Sequence, residues 1–122
     1  MNLNYLDFDY SENTDGTGTF DAMASVSPSQ LANVYAEVEQ VLRWAVQAFG
    51  ADCGAVEDGF AWNHDLQAQQ EYTVNEHPVF DPASGRVRTQ QGKAGVPRHT
   101  VTLSISGSAE FCEALRTQLE SA

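Results

Sequence analysis

Basic residues are scarce and come late. The first Lys or Arg is Arg43; before it stand Asp7, Asp9, Glu12, Asp15, Asp21, Glu37 and Glu39, with no histidine among them. The formal net charge is -11 and the pI about 4.3. A surface this acidic repels phosphate backbones and anionic headgroups, which argues against nucleic-acid and membrane binding. It favours cations or basic protein surfaces, although solubility alone makes many bacterial-type proteins acidic.

Cysteine is almost as rare. Cys53 and Cys112 form no CxxC, and two thiols do not make a disulfide framework. The first five residues offer neither a positive n-region nor an apolar h-region. No apolar run approaches the ~20 residues that span a bilayer. The expectation is a cytoplasmic protein with reduced thiols.

Catalytic and metal motifs are also missing. There is no GxSxG, and Ser106-Gly107-Ser108 reads only as a strand-to-helix turn. Gly16-Thr17-Gly18 has acidic neighbours, the wrong sign for cradling phosphate. His64, His77 and His99 lack ligand spacing. Ser11, Asn13, Asp15 and Gly16 match the first half of an EF-hand loop, but its twelfth position is Ala22, where a bidentate Glu belongs. Cys112 falls in the first turn of a helix, where the dipole lowers a thiol pKa; as a small core residue it needs no such role. No catalytic function and no cofactor are expected.

What is present describes an ordinary globular chain. Its 122 residues fit a single domain, 1–122, and 42% of them are hydrophobic. Residues 4–11 alternate, with Leu6, Phe8 and Tyr10 on one face and Tyr5, Asp7 and Asp9 on the other. Phe20, Ala22, Ala24 and Val26 repeat the pattern after a turn-rich 13–18, so two strands form a hairpin. A helix follows: Ser27 is the N-cap, Pro28 occupies N1, Gln30 completes a capping box and Gly50 ends it. Its core stripe is expected to centre on Leu31, Val38, Leu42 and Phe49. A third strand alternates Phe60, Trp62, His64, Leu66 and Ala68. Residues 71–97 are polar and rich in Pro and Gly, with a small hairpin over 79–87; the stretch protrudes or is mobile. A fourth strand buries Val101, Leu103 and Ile105, and Ser108 caps a helix bearing Phe111, Ala114, Leu115 and Leu119.

The reading is α+β: a two-layer sandwich in ββαββα order. Its mainly antiparallel four-stranded sheet carries both helices on one face and a protruding 71–97 hairpin or loop.

Three features are candidates for binding. In a register that sets Tyr10 opposite Phe20, Asp9 lies opposite Asp21; a shift by two brings Asp7 there instead. Opposed carboxylates are destabilising unless something positive relieves them or salt screens them. Trp44 falls on the helix side bearing Asn33, Glu37, Gln40 and Gln47. A large aromatic among polar residues is either an interface anchor or covered by another part of the fold. The basic cluster Arg86, Arg88, Lys93 and Arg98 either folds back on the acidic hairpin or makes a positive tip. The leading expectation is a binding module for a basic protein, inhibitor- or immunity-like only by analogy. It would act through Asp7, Asp9 and Asp21 or through Glu37 and Trp44, as a monomer or weak homodimer. The alternatives are a divalent-metal activity around Asp7, Asp9 and Asp21, with Asp15 as a further weak ligand, or a structural homodimer.

Overall fold

The computed structural model describes residues 1–121. Its elements are β1 (Asp9–Glu12), β2 (Gly18–Val26), α1 (Pro28–Phe49), β3 (Trp62–Glu71), β4 (Val74–Asp81), β5 (Arg86–Ala94), β6 (Arg98–Gly107) and α2 (Ala109–Glu120), with one 3-10 turn at Val56–Asp58. The fold is α+β with antiparallel strand pairs throughout. The order is ββαββββα, not the expected ββαββα, because 74–94 holds two full strands. The short hairpin expected over 79–87 is the tip of a longer ribbon.

The main sheet runs β1-β2-β6-β3. β2 and β6 take its centre because both alternate strictly, and every second side chain is buried. Phe20 pairs with Ile105, Ala22 with Leu103 and Ala24 with Val101. Helix α1 adds Val34, Val38, Val41 and Ala45 to this core, and α2 adds Phe111, Cys112 and Leu115. Each fully buried Val, Leu or Phe contributes roughly 1.5–3 kcal/mol. The buried stripe of α1 runs through Val34, Val41 and Ala45. Leu31, Leu42 and Phe49, expected at its centre, lie half-buried on its flanks.

The helix ends follow local chemistry. Gln30 Oε1 accepts from the Ser27 N–H (3.2 Å) and hydroxyl (3.1 Å). Gly50, at φ 89°, donates its N–H to the Val46 carbonyl, a conformation that favours glycine. In α2 the Ser108 hydroxyl accepts from the Phe111 N–H at 3.2 Å.

β1 is shorter than the alternation over 4–11 implied. The N–H groups of Asn4, Tyr5 and Leu6 go to the Glu37 carboxylate instead of to a strand. Leu6 still reaches the core, and Phe8 packs edge-on against Phe20 at 6.5 Å.

β3 pairs with β6 from Trp62↔Gly107 to Glu71↔Arg98. β4 and β5 then pair from Val74↔Ala94 to Asp81↔Arg86. Between the two ladders the Gly95 N–H donates to the Thr73 carbonyl at 2.8 Å. The four strands therefore form one long hairpin whose outer half, the arm, extends past the sheet. No residue in 72–97 is buried. Among the described residues no helix is long and apolar enough to cross a membrane.

Candidate functional site

Both helices pack on the face of the sheet that holds Phe20, Leu103 and Ile105. The opposite face carries no helix. Strand alternation fills it with Thr19, Asp21, Met23 and Ser25 from β2, Thr100, Thr102, Ser104 and Ser106 from β6, and Asn63, Asp65, Gln67 and Gln69 from β3. On β1, Asp9 pairs with Asp21 while Tyr10 pairs with Phe20. Of the two registers considered from sequence, this is the one that sets Asp9, not Asp7, against Asp21.

Strand order extends the row. Asp21 pairs with Ser104, and Ser104 pairs on its other side with Asp65. Asp9, Asp21, Ser104 and Asp65 thus lie abreast on four strands. Neighbouring strands are ~4.8 Å apart, so Asp21 and Asp65 are separated by about 10 Å. The Ser104 hydroxyl donates to Asp21 Oδ1 at 2.5 Å, and Gln67 Nε2 donates to Asp65 Oδ2 at 2.8 Å. Asp65 was absent from the sequence candidates. Its outward direction was legible in the alternation of β3, but its place in the row depends on β6 lying between β2 and β3.

Among the described residues no basic side chain neutralises this row. Among the described residues the one ion pair between Lys or Arg and Asp or Glu is Arg43–Glu39, at 3.9 Å on the exposed side of α1. Arg98 turns to the end of β2, where Nε donates to the Ser25 hydroxyl and Nη2 to the Ser25 carbonyl, each at 2.7 Å. Arg86, Arg88 and Lys93 stand exposed on the arm. Arg98 thus reaches β2 but none of the hairpin's carboxylates, and the other three residues of the basic cluster lie on the arm.

Two of the expected binding residues are engaged within the fold. Glu37 is only 8% exposed. Its carboxylate accepts from the N–H groups of Asn4 (2.9 Å), Tyr5 (3.0 Å) and Leu6 (3.1 Å), clamping the N-terminal segment onto α1. Trp44 is half-buried, its ring 6.1 Å from Phe49 and 6.0 Å from Phe111 of α2. The last helix covers it, so α1 is packed on its flank as well as on its sheet side. Glu37 is thereby taken up inside the fold, while Trp44 keeps part of its surface open.

Asp7 precedes β1 and lies beside Phe8, Leu119 and Glu120, outside the row. Asp15 organises its own turn, accepting from the Thr17 hydroxyl at 2.6 Å and the Thr17 N–H at 3.1 Å. Those two bonds, the hydroxyl first, hold its carboxyl below the usual range. Among the described residues no group of three or more His, Cys, Asp or Glu is arranged to hold a metal ion. Asp9, Asp15 and Asp21 do not converge.

The remaining reactive groups have partners within the fold. Cys112 is buried, and its thiol donates to the Gly107 carbonyl at 3.4 Å. Burial pushes that thiol up, against the lowering a helix start alone would give. The Tyr10 phenol is pushed up to about 12, first by desolvation and then by Cys112 and Glu12. Its O–H donates to Glu12 Oε1 at 3.1 Å, and the Arg116 guanidinium lies 5.2 Å from the ring centre. His64 stacks on Trp62 at 5.5 Å, with its Nδ1 3.8 Å from Cys53 Sγ. Comparison with protein-family models, with curated proteins and with solved structures found no match to this chain.

Proposed function

We propose that this chain is a non-catalytic two-layer α+β binding module, acting as one domain, whose open sheet face receives a basic protein surface. One observation carries the reading: Asp9, Asp21 and Asp65 stand in a single row across an uncovered sheet face, with no cation among the described residues set against them. Like charges directly opposite on paired strands are unfavourable. A lysine or arginine from a partner would relieve that repulsion, giving the interaction its electrostatic gain. Hydroxyls and amides on either side, from Ser11, Thr19, Thr102 and Gln67, offer short hydrogen-bonding groups around the row. The net charge of -11 would speed the approach of a cationic partner.

Association with a lysine-rich peptide, and capture of proteins from native lysate, test this at low and high salt. Wild type should bind both at low salt and release them as salt rises. The Asp9→Asn/Asp21→Asn/Asp65→Asn variant should lose binding while melting at or slightly above the wild-type temperature. Salt-insensitive capture, or undiminished binding by the triple variant, would sink the proposal.

A further inference from the structure

The helix-side face of the sheet is incompletely covered. β3 directs Trp62, His64, Leu66 and Ala68 towards the helices, yet only Trp62 is buried. Leu66 is 42% exposed. Opposite it, α1 leaves Tyr35, Leu42 and Val46 partly open. With Val38 these residues line a groove of about 460 Å3, apolar except for Glu39 and Arg43 at its rim.

The arm presents a complementary surface. Its strands pair only with each other, and an isolated two-stranded ribbon is marginal in water. At its tip Phe80 faces Val87 across the strands, 60% and 62% exposed, with Val79 beside them. The tip also carries Arg86 and Arg88. Within 72–97, Arg86, Arg88 and Lys93 stand against Glu76 and Asp81, which gives the arm +1 and leaves -12 on the rest of the chain. The arm is a positive segment on an otherwise acidic molecule.

We propose that the arm of one copy docks into the α1–β3 groove of a second copy, and that the exchange is reciprocal. Phe80 and Val87 would lie against Tyr35, Leu42, Val46 and Leu66; Arg86 and Arg88, which alternate onto the other face of the ribbon, would add long-range attraction to the acidic body rather than direct contacts. Charge complementarity selects this occupant: two bodies repel, whereas an arm and a body attract. The arm's own groove is disfavoured as its destination, because Gly95 N–H to Thr73 and the Val74↔Ala94 pair hold the base of the arm in a ladder continuing from β3 and β6. A two-fold exchange closes with two equal contacts. A buried aromatic contributes roughly 150–250 Å2, so two such contacts, counted on the arm and groove sides together, reach roughly 600–1,000 Å2, the size of a weak and reversible interface. The groove lies on the helix side and is independent of the polar sheet face.

Sedimentation velocity over a wide concentration range tests the exchange, using wild type, Phe80→Ser/Val87→Ser and Val46→Asp. All three substitutions fall at exposed positions, and circular dichroism checks that each variant folds. Wild type should pass from monomer to dimer as concentration rises. Each variant alone should dimerise at least tenfold more weakly. An equimolar mixture of the two should regain dimer, because one intact arm then meets one intact groove. A wild-type monomer at every concentration, a dimer indifferent to both substitutions, or a mixture no better than its parts would each overturn the proposal. The first outcome would also follow if the arm closed on its own groove.

Discussion

Replacing Glu37 by Gln perturbs the interior at one atom. Both carboxylate oxygens are in use: Oε2 accepts from Asn4, Oε1 accepts from Leu6, and the Tyr5 N–H is shared at 3.0 and 3.3 Å. A glutamine keeps one acceptor oxygen. Whichever way its amide turns, an NH2 group meets a backbone N–H that formerly had a partner. Orphaning one such donor costs about 1–3 kcal/mol, and the surviving bonds lose the charge assistance that makes each worth about 1.5–3 kcal/mol. The expected loss is about 2–4 kcal/mol. Near 4 °C per kcal/mol for a domain of this size, the melting temperature falls by about 10 °C. Glu37→Ala should cost a similar amount. There the three N–H groups can swing into water, and the loss becomes that of docking Leu6, which is 4% exposed. Urea denaturation gives the free energies, and amide exchange gives the location: protection should vanish first at Asn4, Tyr5 and Leu6. Either variant within about 0.5 kcal/mol of wild type, or exchange rising evenly along the chain, would refute the clamp.

Trp44→Ala should destabilise the fold by about 2–3 kcal/mol in urea melts, because its ring fills the angle between Phe49 and Phe111, and should leave capture by the sheet face unchanged. Gly107→Ala places a Cβ 2.3 Å from a ring carbon of Phe111, which is wholly buried and stacks on Trp62 at 5.8 Å. Overpacking of this kind costs about 1–3 kcal/mol, readable by calorimetry. Tyr10 has a folded pKa above its ordinary 10, so folding favours the neutral phenol. That contribution is complete below pH 10 and is lost as pH rises towards 12; Tyr10→Phe should flatten this alkaline decline in a pH series of urea melts.

Where local chemistry decides structure, the sequence was readable. Ser27, Pro28, Gln30 and Gly50 bound α1 within a single segment, and the alternation in β2 and β6 marked Phe20, Leu103 and Ile105 as core. The failures share one cause: each depended on a neighbour that only the fold supplies. A helical wheel puts Glu37 and Trp44 on the polar side of α1. It cannot know that three N–H groups more than 30 positions upstream will turn to Glu37, or that α2 will bring Phe111 to Trp44. Asp65 escaped notice because β3 joins the sheet through β6, the last strand. The arm was half-legible. Pro82 and Gly85 marked its turn, but its polar composition hid strands that continue the β3–β6 ladder.

The continuity of that ladder has a consequence for how the chain folds. Asp21 and Ser104 are 83 positions apart, so the central β2–β6 pairing closes a very long loop. The β4–β5 turn is local: Asp81 Oδ1 accepts from the Ala83 N–H, and Gly85, at φ 70°, donates its N–H to the Asp81 carbonyl. Pairing that starts there can zip inward through Gly95 and Thr73 to Arg98 and Glu71, delivering β6 beside β3 before β2 arrives. Gly85→Ala would then slow folding more than it speeds unfolding in stopped-flow chevrons, and the opposite partition would show that the hairpin forms late. The segment that projects furthest from the finished molecule would be the first to take its shape.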